Sequence, residues 1–171
     1  MLIGLAVRLI IPDTTALSAR RALHQAGLAG LQDVRREVCW GFDLDETEAP
    51  QIAAERLLNV DVLVNYNKHR GRWWRGELDA APMGEAVALR WGRAIVEDRD
   101  DPEPASMQRV LTARLRLTGL RVVRHATLWS LAYASTDDVD RRTQDAVRLL
   151  LANRHGQRAT LLPSENSSIV A

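Results

Sequence analysis

Val34-Arg35-Arg36-Glu37-Val38-Cys39-Trp40-Gly41-Phe42-Asp43-Leu44-Asp45 is the stretch that decides the fold. Val34, Arg36, Val38, Trp40, Phe42 and Leu44 take alternate positions, and five of these six are apolar. Arg35, Glu37, Cys39, Gly41, Asp43 and Asp45 stand between them, and four of these six are charged. Successive side chains of a strand project to opposite faces, so the stretch predicts a long, half-buried antiparallel strand. The pattern returns later in the chain. Val123, Trp129, Leu131 and Tyr133 repeat Val34, Trp40, Phe42 and Leu44 at constant spacing, and Arg124 repeats Arg35. A slip of one residue would turn the whole apolar set to water, so matched parity in both copies implies two like strands in like settings.

The segments around the first long strand follow from the same logic. Residues 2–11 alternate, with Ile3, Leu5, Val7, Leu9 and Ile11 on one face, and Pro12 ends that strand. Asp13, Thr14 and Thr15 are capping residues for a helix running to Ala26, with Gly27 just past its end. Thr47 is expected to cap a second helix over residues 48–58, where Pro50 fits in the first turn. Residues 59–66 predict a third strand, with Val60, Val62 and Val64 on one side. Residues 67–86 hold Arg70-Gly71-Arg72-Trp73-Trp74-Arg75-Gly76, Pro82 and Gly84, and are read as a connection.

The second half repeats the order. A strand is expected over 87–96, where Ala88-Leu89-Arg90 echoes Ala6-Val7-Arg8. An acidic loop follows, then a helix over 105–118, the second long strand, and a helix capped by Thr136 with Val139, Ala146, Val147 and Leu150. A short strand over 158–162 and a loose tail from Pro163 complete it. The fold expected is α+β, a tandem duplication of a β-α-β-α-β unit with antiparallel sheets and two helices per repeat on one face. The repeats occupy 1–66 and 87–162, joined by 67–86 and followed by a tail over 163–171. A period of about ninety residues is too long for a solenoid unit.

The chain has 171 residues, is 46% hydrophobic and 26% charged, and carries a formal net charge of +1. These values suit a globular protein, and the charge gives no electrostatic case for nucleic acid. No run approaches the roughly 18 apolar residues of a membrane span. Cys39 is the single cysteine, so neither an intrachain disulfide nor a cysteine metal cluster is expected, and a cytoplasmic location fits. His24, His69, His125 and His155 lack the spacing of a metal site. His24 is placed on a helix surface, and His125 either in the core or at an edge. Glu97-Asp98-Arg99-Asp100-Asp101-Pro102-Glu103 lacks the central Gly and final Glu of a calcium loop and reads as solvated. Phosphate-loop, dinucleotide and nucleophile-elbow motifs are absent, and no cofactor is expected. Trp73 and Trp74 among arginines admit three readings: packing within the chain, contact with a protein, or stacking on a nucleotide.

Each half resembles the PurS family, the small subunit of phosphoribosylformylglycinamidine synthase. The likeness rests on Val7-Arg8-Leu9, Leu23 with Gly27, Asp33-Val34-Arg35, Leu57-Leu58-Asn59 and Tyr66 in the first half. In the second half it rests on Leu115 with Gly119, Val123-Arg124 and Leu150-Leu151-Ala152-Asn153. The chain departs from the family where Glu37-Val38 and Thr127-Leu128 replace Gly-Lys, and where Pro12-Asp13-Thr14-Thr15 replaces Asp-Pro-x-Gly. The resemblance implies a non-catalytic accessory subunit in purine biosynthesis that bridges the synthetase large subunit and the glutaminase subunit, in a chain that fuses a family dimer. It makes Arg35, Asn59, Tyr66, Trp73, Trp74, Arg124 and Asn153 the candidates for partner contact. A PurS-like metabolite-binding or regulatory module, or an enzyme of unrecognised type, are the other readings.

Overall fold

The structure, a computed structural model, describes residues 1–45, 49–82, 89–117, 119–134 and 138–163. Six strands, β1 (Leu2–Leu9), β2 (Leu31–Leu44), β3 (His69–Arg75), β4 (Arg90–Asp98), β5 (Leu120–Tyr133) and β6 (Gln157–Leu162), form one open antiparallel sheet in the order β3-β1-β2-β5-β4-β6. Among the described residues, four α-helices accompany them: α1 (Thr14–Gln25), α2 (Pro50–Leu58), α3 (Glu103–Leu115) and α4 (Val139–Ala146). The fold is thus α+β, as the sequence predicts. Among the described residues, no helix is long and apolar enough to cross a membrane. The chain divides into two compact units, each built from segments of both sequence halves.

The first unit contains β1, residues 37–44 of β2, α2, β3, α3 and residues 120–126 of β5. Ile3, Leu5 and Val7 of β1 join Trp40, Phe42 and Leu44 of β2 in its core, with Ala53 and Leu57 of α2 and Met107 and Leu111 of α3. Of the predicted inward set of the long strand, Val34, Trp40, Phe42 and Leu44 are buried, and Arg36 and Val38 are half-buried. Its other side is less polar than the alternation suggests: Ala6 and Cys39 are directly paired and both fully buried. Pro50 opens α2, and the cap residue Ala49 makes no side-chain cap bond. The expected cap Thr47 lies outside the described residues.

Residues 59–66 are not a strand. Asn59 ends α2, and the next turn is held by Leu63 and Val64 N–H groups donating to Val60 O at 2.8 and 2.9 Å. Val60, Leu63 and Val64 are buried while Val62 is 51% exposed, a helical spacing in place of the predicted alternation. The third strand instead lies within the predicted connection, at His69–Arg75. It pairs β1 in the register Ile3↔Arg75 to Leu9↔His69. Helix α3 starts at Glu103 and stops before Arg116, which takes the left-handed φ of 52°, short of the predicted end at Thr118.

The second unit contains α1, residues 31–36 of β2, β4, residues 127–133 of β5, α4 and β6. Asp13 caps α1: its Oδ1 accepts the Thr15 and Ala16 N–H groups at 2.9 and 3.1 Å, and its Oδ2 accepts Arg36 Nε at 3.0 Å. The helix buries Ala16, Ala19 and Leu23, and leaves Leu17 exposed. Helix α4 continues into a π turn over Val147–Leu151. The wider turn moves the inward position on by one residue, so Leu151 is buried and Leu150 is exposed. The expected cap Thr136 and the start of the predicted strand at Val87 lie outside the described residues, as do residues 164–171 of the tail. Val7 faces Val38, and Val96 faces Thr127. Val38 and Thr127 each stand two residues before a tryptophan, so Val7 and Val96 hold like ladder positions, whereas Leu89 of the local echo precedes β4.

Candidate interaction surface

The tryptophans of β3 point to opposite faces, as neighbours on a strand must. Trp73 is half-buried and packs against the core of the first unit. Trp74 lies across Gly4, its partner in the ladder; a Cβ there would fall 2.1 Å from the indole. Its Nε1 donates to Glu77 O at 2.8 Å, and only 8% of the residue is exposed. Packing within the chain is thus the observed role of Trp74.

Arg72 stands on the same face as Trp74, its guanidinium 5.7 Å from the indole centre. It grips Glu37 with two donors, Nε at 3.2 Å and Nη2 at 2.8 Å, while Nη1 donates to Pro82 O at 2.9 Å. Such a forked, partly desolvated pair holds geometry well. The chain beyond β3 therefore folds back over this face, where Leu78 covers Gly41.

Arg124 of β5 reaches the same returning segment: its Nη1 donates to Glu77 Oε2 at 2.7 Å. Glu77 thereby ties two of the candidates, Trp74 through its carbonyl and Arg124 through its carboxylate. The others stand apart. In the second unit, Arg35 Nε donates to Asp33 at 3.0 Å, and its guanidinium lies 4.5 Å over the Trp91 ring. Asn59 caps α2, its Nδ2 donating to Glu55 O at 2.9 Å. Tyr66 is 58% exposed in the turn before β3.

Asn153 organises the turn that leads into β6. Its Oδ1 accepts the His155 N–H at 3.0 Å, its carbonyl accepts the Gln157 N–H at 2.8 Å, and its own N–H donates to Gln157 Oε1 at 2.7 Å. Asn65 does the same before β3. Its Oδ1 accepts the Asn67 N–H at 3.0 Å, its carbonyl accepts the His69 N–H at 2.7 Å, and its N–H donates to His69 Nδ1 at 3.2 Å. Asn65 and Asn153 thus make like turns before β3 and β6, which Asn59, at the end of α2, does not.

One cluster escapes the sequence reading. His125 Nδ1 meets Asp101 Oδ2 at 2.5 Å, and the imidazole lies 4.4 Å from the Trp40 ring centre. Asp101 Oδ1 also accepts the Glu103 N–H that opens α3, at 2.9 Å. The acidic loop is largely exposed, as expected, and also makes surface contacts: Glu97 binds Arg158 at 2.6 Å and Asp98 accepts from Gln157 at 2.7 Å. The Asp-Pro-Glu helix start was the available signal for Asp101; its pairing with His125 has none in local sequence.

Tyr133 in the second unit is 1% exposed, and its phenol oxygen has no hydrogen-bond partner among the described residues. Burial pushes the phenol up from its ordinary range; Thr143 and Arg142 pull the other way, and Asp145 adds to the rise. An acid whose folded value is raised leaves stability intact below the unfolded pKa of about 10, and stability falls as pH climbs through the folded value. Tyr133→Phe is therefore expected to flatten the alkaline loss of stability. Urea midpoints from neutral pH to above pH ~10 test this; equal alkaline slopes in both proteins would refute it.

The chain matches no family model and no curated protein.

Proposed function

We propose that this chain is a PurS-like accessory subunit of phosphoribosylformylglycinamidine synthase, with two diverged repeats fused into one pseudo-dimer. It bridges the synthetase large subunit and the glutaminase subunit in the cytoplasm and supports glutamine-dependent amidation through assembly. The observation that carries this reading is the strand order. With β1, β2 and β3 matched to β4, β5 and β6, the order β3-β1-β2-β5-β4-β6 reads the same from either edge. That is the order expected of two β-α-β-α-β units that meet through their long strands, as in an isologous dimer. The matched turns at Asn65 and Asn153 support it. So does the retention of Val-Arg at Val34-Arg35 and Val123-Arg124.

The test is co-elution of the chain with the synthetase and glutaminase subunits of its source, with ATP and glutamine present. Glutamine-dependent amidation is followed with and without the chain. A ternary complex that loses glutamine-dependent turnover when the chain is left out is the expected result. Full turnover without the chain, and no co-elution, would overturn the reading.

A further inference from the structure

Strand β3 is outermost on its side of the sheet and pairs only with β1 among the described strands. An edge strand carries main-chain N–H and C=O groups aimed away from its single partner, a template for one more strand. The charge along this edge has one sign. Residues 65–76 contain Lys68, Arg70, Arg72 and Arg75 and neither Asp nor Glu. Arg70 and Arg8 are direct ladder partners and share a face. Arg72, next along that face, holds Glu37. Arg70 and Arg75 are exposed and lie on opposite faces of the strand. The other edge differs: β6 carries one cation, Arg158, and Glu97 binds it.

We propose that the outer edge of β3 binds an extended acidic segment of a partner protein, which adds to the sheet as a further strand. Main-chain hydrogen bonds supply the pairing, and alternate side chains supply selection. Carboxylates at every second position meet the exposed Arg70, while Arg72 on that face stays with Glu37. Apolar residues between them lie beside Gly71 and the half-buried Trp73. The cations repel a second copy of the same edge and so keep it open for an acidic partner.

A fluorescein-labelled peptide of alternating Glu and Val, titrated with the chain and followed by anisotropy, tests this. Saturable binding is expected, together with slowed amide exchange across residues 69–75. The exposed double variant Arg70→Glu/Arg75→Glu, shown folded by circular dichroism, is expected to weaken binding about tenfold or more. A peptide N-methylated at alternate nitrogens is expected not to bind. No binding, binding undiminished in the double variant, or equal binding of the N-methylated peptide would each overturn the proposal. The measurement uses the chain alone, so its failure is distinct from failure to form the ternary complex.

Discussion

Trp74→Ala is expected to lower the free energy of unfolding by about 3–5 kcal/mol, the range for removing a buried tryptophan. The indole fills the space above Gly4, donates to Glu77 O and lies beside the Arg72 guanidinium. Truncation opens a cavity and strands a carbonyl on the returning segment. Natural domains hold only about 5–15 kcal/mol in all, so the urea midpoint should fall steeply. Gly4→Ala strikes the same contact from below, since its Cβ would stand 2.1 Å from the Trp74 ring. The two substitutions share one cause, so the double variant should lose clearly less than the sum of the singles. A loss under about 1 kcal/mol for Trp74→Ala, or strict additivity in the cycle, would remove Trp74 as the anchor of this face.

The second large effect is expected at Gly92. A Cβ there would fall 1.8 Å from Thr143 Oγ1 and 3.0 Å from both Thr143 Cβ and Val139 Cγ1. Strand β4 cannot retreat freely, because β5 and β6 pair it from both sides. Helix α4 has to lift, and Thr143, whose hydroxyl donates to Val139 O at 2.8 Å, is almost fully buried in the contact. Overpacking of this kind costs about 1–3 kcal/mol for Gly92→Ala, and more for Gly92→Val. Thr143→Ala removes the worst overlap, so it should restore part of the loss in the Gly92→Ala background while destabilising the parent chain. Urea denaturation of the four proteins measures the coupling; a Gly92→Ala variant as stable as the parent would show that α4 does not sit on β4 in this way.

The long strands were legible because one periodicity covered many residues and was written twice. Trp40, Phe42 and Leu44, with Leu131 and Tyr133, are buried as their spacing implies. Residues 59–66 misled because valines at 60, 62 and 64 satisfy a strand template, whereas Val60, Leu63 and Val64 satisfy a turn of helical spacing equally well. β3 was hidden for the opposite reason. Gly71, which leaves room for Leu58 and Val64, and a run of arginines read in isolation as a break. Among the candidate residues, Trp74 and Arg124 meet through Glu77, a relation no local pattern carries. Asp101 and His125 likewise come together only once the start of α3 is set against β5.

Neither compact unit is a continuous stretch of chain: the first needs β1 and also residues 120–126, and the second needs α1 and also β6. During synthesis, a nascent chain that has just released β3 holds the beginnings of both units and the whole of neither. The first core must wait for α3 and the start of β5, and the second for the far C-terminal strand. Such long-range closure slows folding and prolongs exposure of apolar strands such as Leu2–Leu9. Any cut between the two sequence halves would leave two fragments that each lack part of both cores, so the chain is expected to fold only as a whole.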